Sequence, residues 1–544
     1  TVVGRERKDL EKFGNECSGY IGKHIVGTGE EAHLTTKVFI DLLRPHVILL
    51  TGKRGCIPGD TLIFTESGMK PIKEFKNNEK VLSLNLENLN FEWKNAELVE
   101  YNLENGEKLL KFTLEDGREI VVTPEHPLLV FHNDVVLLWK KAACIKEGEK
   151  IVITTSLPEV KNDRENVRIA RLLGFLLADG TINIRKGIFR DSRGCLYRGV
   201  RKRIRITTSS LEVVNQSKKD FEEEFNVKVS IKKRKKENCY DIQVTNGKVV
   251  DKFISLGVPV GKKAGIIFIP KVVWESSDEF KANFLKALFS CDGYVQKDGG
   301  RVEYYTKSER FAKELQILLA HFNIESTVRS KKSLYGRYYT VGFSDFLSLK
   351  NFEKKIGFFQ KFKNERLRKK KFWKRKRKIK TIYLSETLAC RRITSIEEID
   401  GKEKVYDLMV KDNHSFIANC IISHNSGKSY VAGIIAEEVA LLPEEFRKNL
   451  AVVMIDTMGI FWSLKKPNEQ QKSLLREWGL EPRGFENVKV FVPYSQLEEF
   501  KNAGIPVDEG ISILPYEFSA EDWRLAFNLK RTEPVGIALE KVIN

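Results

Sequence analysis

The sequence predicts a multidomain chain. A mainly β domain comes in two parts, an α+β unit with an internal pseudo-twofold repeat is inserted between them, and the halves of an α/β fold flank the whole. Three observations predict this. A phosphate-binding loop pattern is cut in two, with its halves far apart; the segments just inside the cut alternate like strands; and one apolar helix pattern ending in Asp-Gly occurs twice in the middle. A length of 544 residues with 42% hydrophobic content supports several cores. No apolar run approaches the roughly 20 residues a membrane span needs.

The outer α/β fold comes first. Pro45 to Thr51 reads as a buried strand entering Gly52-Lys53-Arg54-Gly55, which stops at Cys56; Ser426-Gly427-Lys428-Ser429 follows directly on His424-Asn425. Joined, the halves read G-K-R-G-S-G-K-S and fit G-x-x-x-x-G-K-[ST], with Gly52, Gly427, Lys428 and Ser429 in the required places and Gly55 within the loop. Such a loop works only as one continuous turn, because consecutive backbone N–H groups must converge on the phosphates. Residues 56–425 far exceed an ordinary loop insertion and must leave before the loop can act. Ser429 to Leu442 reads as the following helix and Leu450 to Ile455 as the next strand, ending at Asp456. In this βαβ start, Lys428 meets the β and γ phosphates of ATP and Ser429 ligates Mg²⁺.

The seams carry nucleophiles. The block opens on Cys56 and closes on His424-Asn425, with Ser426 just beyond. Cys56-Ile57-Pro58-Gly59-Asp60-Thr61, Thr123-Pro124-Glu125-His126, Val405-Tyr406-Asp407-Leu408 and His414-Ser415-Phe416 follow in order. Together these resemble an intein, a self-excising element. The resemblance implies a mainly β, Hint-type splicing domain made of residues 56–160 and 381–425, with a hairpin over Leu109–Leu114 and Glu119–Thr123 turning at Asp116-Gly117. Exchanging peptide bonds without ATP needs a side-chain nucleophile beside each bond. Cys56 attacks the Gly55 carbonyl, which Thr123 and His126 polarise, and His126 protonates the departing amine. Ser426 takes the acyl group and Asn425 cyclises, with His424 and His414 moving protons and Asp407 shuttling between the nucleophiles. Splicing needs no cofactor.

The inserted unit, residues 161–380, repeats Leu172-Leu173-Gly174-Phe175-Leu176-Leu177-Ala178-Asp179-Gly180 as Leu285-Lys286-Ala287-Leu288-Phe289-Ser290-Cys291-Asp292-Gly293. Each reads as an apolar helix with small residues four apart, Gly174 and Ala178 against Ala287 and Cys291, which lets two backbones pack closely. Such packing brings Asp179 and Asp292 together as a site for a hard cation. The pair resembles the motifs of LAGLIDADG homing endonucleases, and the resemblance implies Mg²⁺ there, with Lys271 as catalytic lysine and Lys307 as a weaker candidate. The second motif departs from the consensus at Ser290-Cys291, which leaves open an inactive DNA-binding remnant beside an active enzyme.

Charge points to the partner. The net charge is +19, and Arg198 to Arg205, Lys232 to Lys236 and Lys369 to Lys380 concentrate the basic residues inside the insertion. One such run is usually a solvated face; three in one insertion favour double-stranded DNA, here the intein-free host gene. Arg201, Arg203 and Arg205 alternate with Lys202, Ile204 and Ile206, so on a strand they share one face.

The flanks, residues 1–55 and 426–544, complete the expectation. Gly22 to Gly27 together with the rejoined loop resembles the HerA-type, FtsK-related ATPases, which implies an ATP-binding host, truncated here, that can assemble as a homo-oligomeric ring. The start at Thr1, without Met or an apolar leader, reads as a fragment. Eight cysteines without C-x-x-C or zinc spacing read as a reduced, cytoplasmic setting without a membrane partner. An alternative class is an unspliced multidomain DNA-binding ATPase, for which the split loop is fatal unless folding joins its halves.

Overall fold

The computed structural model describes all residues except 27–32, 47–54, 78, 87, 104–105, 133–135, 161–164, 191–194, 235–237, 334–335, 370–380, 402–403, 411–412, 425–427, 449, 457–460, 470–471, 503, 513, 528, 530–532 and 544. Gly52, Asn425, Ser426 and Gly427, together with the Val47–Thr51 strand and most of the Lys369–Lys380 run, therefore lie outside the described residues. The chain forms two compact units, Thr1–Gly52 with Gly427–Asn544, and Lys53–Ser426. It is a mixed α/β multidomain architecture with several separate sheets.

In the first unit, strands Val2–Val3, Ser18–Val26 and His33–Asp41 make a three-stranded sheet with His33–Asp41 in the middle. The predicted helix forms as Lys428–Leu441. It packs on the Ser18–Val26 strand, where the Tyr20 N–H donates to Glu438 Oε2 at 2.7 Å. The strand expected over Leu450–Ile455 does not form. A strand needs a ladder partner, and Val453 and Ile455 instead stand 86% and 88% exposed.

The second unit begins with a splicing-type lobe. A 15-stranded sheet joins segments from both ends of the block. Lys108–Leu114 pairs with Glu119–Val122 as the predicted hairpin, with Glu119 opposite Thr113. Alternation drives the local choice: Phe112 and Leu114 turn into one core along the first of these strands, while Leu109 on its opposite face packs in a smaller cluster with Cys56 and Val405. Ile63, Phe112, Val122, Ile153, Leu408, Phe416 and Ile421 close one core.

The inserted lobe has two halves of the same plan. Each starts with a motif helix, Val167–Ala178 or Asp278–Asp292, capped at its start by an Asn166 or Ser277 side chain that accepts backbone N–H groups. Each helix feeds a four-stranded antiparallel sheet, formed in the first half by Gly180–Arg190, Leu196–Thr208, Ser230–Arg234 and Cys239–Val244. The second half uses Gly293–Val295, Val302–Thr306, Thr327–Ser333 and Gly336–Phe343, and in both sheets the last strand lies between the second and third.

The two lobes share packing. One buried cluster contains Leu62 and Phe64 from the splicing-type lobe and Leu173, Trp274 and Phe284 from the insertion. Buried Arg391 of the splicing-type lobe reaches Asp116 of its own lobe at 3.3 Å and, across the boundary, bonds Glu325 of the insertion. Gln316 Nε2 donates to the Asp116 carbonyl at 3.0 Å.

Candidate functional sites

The first site gathers both ends of the 56–425 block. Ile57 pairs with Tyr406 on antiparallel strands, which sets Asp407 across from Cys56. Leu128 pairs with Ser423, which brings His424 to the same end of the sheet as Thr123 and His126. Cys56 is 2% exposed. Its N–H donates to Thr123 Oγ1 at 2.8 Å, and the Thr123 N–H donates back to the Cys56 carbonyl at 2.9 Å. The nucleophile is thus held at both its main-chain groups by one residue.

Gly55 sits against the His126 backbone so closely that an added Cβ would lie 2.6 Å from His126 Cα and 2.9 Å from Pro127 Cδ. Only glycine fits there. The His126 ring is fully buried, and burial drives its pKa down to about 4, against a rise from the Gly55 backbone and with a small further fall from His424. Among the described residues, neither ring nitrogen has a partner at hydrogen-bond geometry. The Gly55 backbone therefore faces the ring without being bonded to it, and the imidazole is neutral near pH 7. Asp407 is 1% exposed and accepts the Leu408 N–H at 2.9 Å. His414, in left-handed backbone at φ 53, lies 6.1 Å from His424 between ring centroids.

The second site lies at the ends of the motif helices. Gly174 meets the partner helix directly, since a Cβ there would come within 2.7 Å of Ala287 Cβ and 2.5 Å of the Phe284 carbonyl oxygen. The small-residue reading holds, and it brings Asp179 and Asp292 close enough to act on each other. Burial, then the Asp292 charge, pushes the Asp179 carboxyl up to about 6, while Cys291, Lys263 and Lys363 pull against the rise. Burial also raises Asp292, to which Tyr304 donates at 3.3 Å.

Two lysines at this site escaped the sequence reading. Lys263 Nζ donates to the carbonyls of Leu176, Leu177 and Ala178 at 2.5, 2.6 and 2.7 Å. Lys363 Nζ does the same for the other helix, at 3.0 Å to Ser290 and 2.7 Å to Gly293. Burial lowers both to about 8. A signal existed: Lys263 and Lys363 are each the sixth residue after a glycine, Gly257 or Gly357, and both glycines have positive φ. Lys271, the expected lysine, ion-pairs instead with Glu74 at 2.6 Å, beside Glu275. Beside Asp179 a cavity of about 600 Å³ opens, lined also by Thr207, Cys239 and Phe362.

The basic face forms as the alternation predicts. Ile204 and Ile206 are fully buried, so Arg201, Arg203 and Arg205 take the other face of their strand, with the Arg201 guanidinium 4.7 Å over Phe189. The helix that places Lys428 and Ser429 is described, but their side chains are not.

The family model for the intein splicing domain matches residues 62–425. The chain belongs to the intein family. Among curated relatives, this intein-containing chain is 30% identical over 264 residues to the replication factor C small subunit of Thermococcus kodakarensis, a match over 48% of this chain and 28% of that protein. It is 28% identical over 367 residues to the namesake from Methanocaldococcus jannaschii, over 63% and 18%. With an A-type ATP synthase subunit from Pyrococcus abyssi it shares 26% over 320 residues, over 52% and 30%. The chain thus spans less than a third of the length of these relatives. Among solved structures, I-DmoI in complex with DNA and Mn is similar at 19% identity and TM-score 0.27, over 35% of this chain and 97% of that one. A DnaB intein from Synechocystis is similar at 21% and TM-score 0.16, over 18% and 68%.

Proposed function

We propose that this intein excises residues 56–425 and joins Gly55 to Ser426. The observation that carries this reading is the meeting of the block's two ends in one site, with Cys56 gripped by Thr123, set across from Asp407, and with His424 near enough to act on His126. The Cys56 thiol gives up its proton and its sulfur displaces the Cys56 nitrogen from the Gly55 carbonyl carbon; neutral His126 gives a proton to the departing nitrogen and is made whole by the one the thiol released, so the thiol's proton ends on that nitrogen. The Ser426 hydroxyl then takes the acyl group from sulfur. The Asn425 side-chain nitrogen closes on its own main-chain carbonyl, breaking the bond to the Ser426 nitrogen, which receives a proton by way of His424 and His414. A final shift from oxygen to nitrogen leaves an ordinary peptide bond.

The insertion is read as a site-specific double-strand DNA endonuclease of LAGLIDADG type, used in homing. Its support is the Asp179–Asp292 pair at the ends of the two motif helices, in a lobe whose first sheet carries a face of arginines. The donor set fits a hard divalent cation such as Mg²⁺, since two carboxylates close enough to repel are stabilised by a positive ion between them. When bound, that ion supplies charge stabilisation to the scissile phosphate and activates water. Lys263 and Lys363 hold the helix ends that present the two acids. Arg201, Arg203 and Arg205 contact phosphates. The inactive-remnant reading predicts the same DNA binding without cleavage.

The host is read as a HerA-type, FtsK-related cytoplasmic ATPase whose rebuilt loop, Gly52 to Ser429, takes ATP and Mg²⁺. The exposure of Val453 and Ile455 suits a host whose sheet is unfinished before splicing. The relatives' names span a replication factor and an ATP synthase, which favours a segment carried among hosts.

Expression followed by mass spectrometry tests the first claim. It should yield a fragment of residues 56–425 and a ligated product of 1–55 with 426–544; one stable full-length species rejects it. Incubation with Mg²⁺ and DNA encoding the joined Gly55–Ser426 junction tests the second, where binding without a cut selects the remnant reading.

A further inference from the structure

We propose that Trp139 is a positioning residue for His424, holding its imidazole where cyclisation of Asn425 needs it; the proposal rests on the splicing reading above. The ring centroids of Trp139 and His424 lie 4.5 Å apart at an interplanar angle of 54°. The other ring contacts of the site are looser, 6.1 Å between His414 and His424 and 6.3 Å between His126 and Phe416.

The sheet register explains how they meet. Val136–Lys141 pairs with Pro127–His132 so that Trp139 faces Leu129 and Lys141 faces Pro127. On the other side of Pro127–His132, Leu128 faces Ser423, so the ladder carries Pro127 opposite His424. Trp139 and His424 therefore lie on one face, two strands apart and offset by two residues. The strand between them puts Leu129 and Pro127 on that same face. Trp139 is itself half-buried against the large core cluster, which fixes its plane.

His424 needs such a support. It is the last residue of its strand, Ile421–His424, and its side chain is only partly buried. In the cyclisation, the Asn425 side-chain nitrogen bonds to the Asn425 carbonyl carbon as the bond from that carbon to the Ser426 nitrogen breaks. The first nitrogen gives up a proton and the second gains one, so no oxidant or co-reactant is required. A ring that carries that proton must keep one orientation, and an aromatic face sets it without competing for the ring nitrogens.

The test uses the full chain with Cys56→Ala, in which the upstream step is removed and release of the downstream segment reports cyclisation alone. Adding Trp139→Leu should slow release at least about tenfold, while Trp139→Phe should recover it to within about threefold. In an Asn425→Ala chain, hydroxylamine cleavage after Gly55 should change less than about twofold with Trp139→Leu. In a Cys56→Ala, Asn425→Ala chain with labelled histidines, the His424 ring protons should move downfield in Trp139→Leu as the indole ring current is lost, and return in Trp139→Phe. Unchanged release in Trp139→Leu, equal slowing in the Leu and Phe variants, or parallel loss of the hydroxylamine product overturns the proposal while leaving splicing in place. A Cys56→Ala parent that never releases its downstream segment removes the splicing reading and this proposal with it.

Discussion

Thr123 and Cys56 exchange two hydrogen bonds, N–H to Oγ1 at 2.8 Å and N–H to carbonyl at 2.9 Å. Thr123→Val keeps the shape and the second bond but leaves the buried Cys56 N–H without its acceptor. Such an unsatisfied donor costs about 1–3 kcal/mol. Hydroxylamine cleavage after Gly55 should fall about tenfold or more, while Asn425 cyclisation in the same chain stays near its parental rate, both followed by mass spectrometry. Equal loss of both steps would show that Thr123 merely supports the fold.

Gly55 is constrained more tightly than the chemistry of its carbonyl requires. A Cβ would lie 2.6 Å from His126 Cα, against backbone that has nowhere to retreat. Gly55→Ala should slow the upstream step, and Gly55→Val should nearly abolish it, with the intact precursor accumulating on gels. Retention of full splicing by Gly55→Val would mean that the loop moves before reaction.

Much of this was legible in the sequence because local patterns and tertiary packing agree. The repeated helix with small residues four apart is realised as the Gly174–Ala287 contact, and the Asp116-Gly117 turn as the hairpin of Lys108–Leu114 with Glu119–Val122. Leu450–Ile455 failed because an apolar run specifies burial only when a partner strand is available, and none pairs with it among the described residues. Lys271 was chosen by its place before the second motif helix, yet its shortest ion pair is to Glu74, a residue far off in sequence. Lys263 and Lys363 each answer to a helix end supplied by a distant segment, so only their matched spacing from a glycine marked them. The sharing of one core by the two lobes was invisible, since no pattern within either lobe reports what its outer face touches.

His126 ties stability to pH. Its pKa is 6.5 in an ordinary setting and about 4 in the fold, so between these values the unfolded chain binds the extra proton. The stabilisation is complete above pH 6.5 and is lost as pH falls through 4, amounting to about 3 kcal/mol. Buried His321 acts in the same direction. Urea unfolding of a Cys56→Ala, Asn425→Ala chain should show stability falling across this window, and His126→Gln should flatten the fall. An unchanged slope in that variant would place the proton elsewhere.

Arg391 joins the lobes through Asp116 and Glu325, with its own side chain 4% exposed. Removing one partner of a buried ionic cluster leaves the others uncompensated, which typically costs about 3–5 kcal/mol. Arg391→Ala should therefore lower the unfolding midpoint and impair splicing and DNA cleavage together, within a single transition. Two separate transitions, with only one activity affected, would show that the lobes fold independently despite their common core.

Asp179 and Asp292 give the sharpest separation of the two activities. Without a cation, Asp179 prefers its proton up to about pH 6, so its charge destabilises the fold above that pH and the penalty disappears as pH falls through 6 toward 3.8. Mg²⁺ should accordingly raise the melting temperature at pH 8 and progressively less below pH 6. Asp179→Asn, lacking the charge, should be more stable than the parent in metal-free buffer by ~2 kcal/mol and should lose most of the Mg²⁺ response. The same substitution should stop DNA cleavage while the 56–425 fragment is still released, because Cys56, Thr123, His126 and His424 sit on the splicing-type lobe and Asp179 on the insertion. Calorimetry with and without Mg²⁺ reads the first effect and mass spectrometry the second. A variant that responds to Mg²⁺ like the parent would move the cation to another part of the molecule.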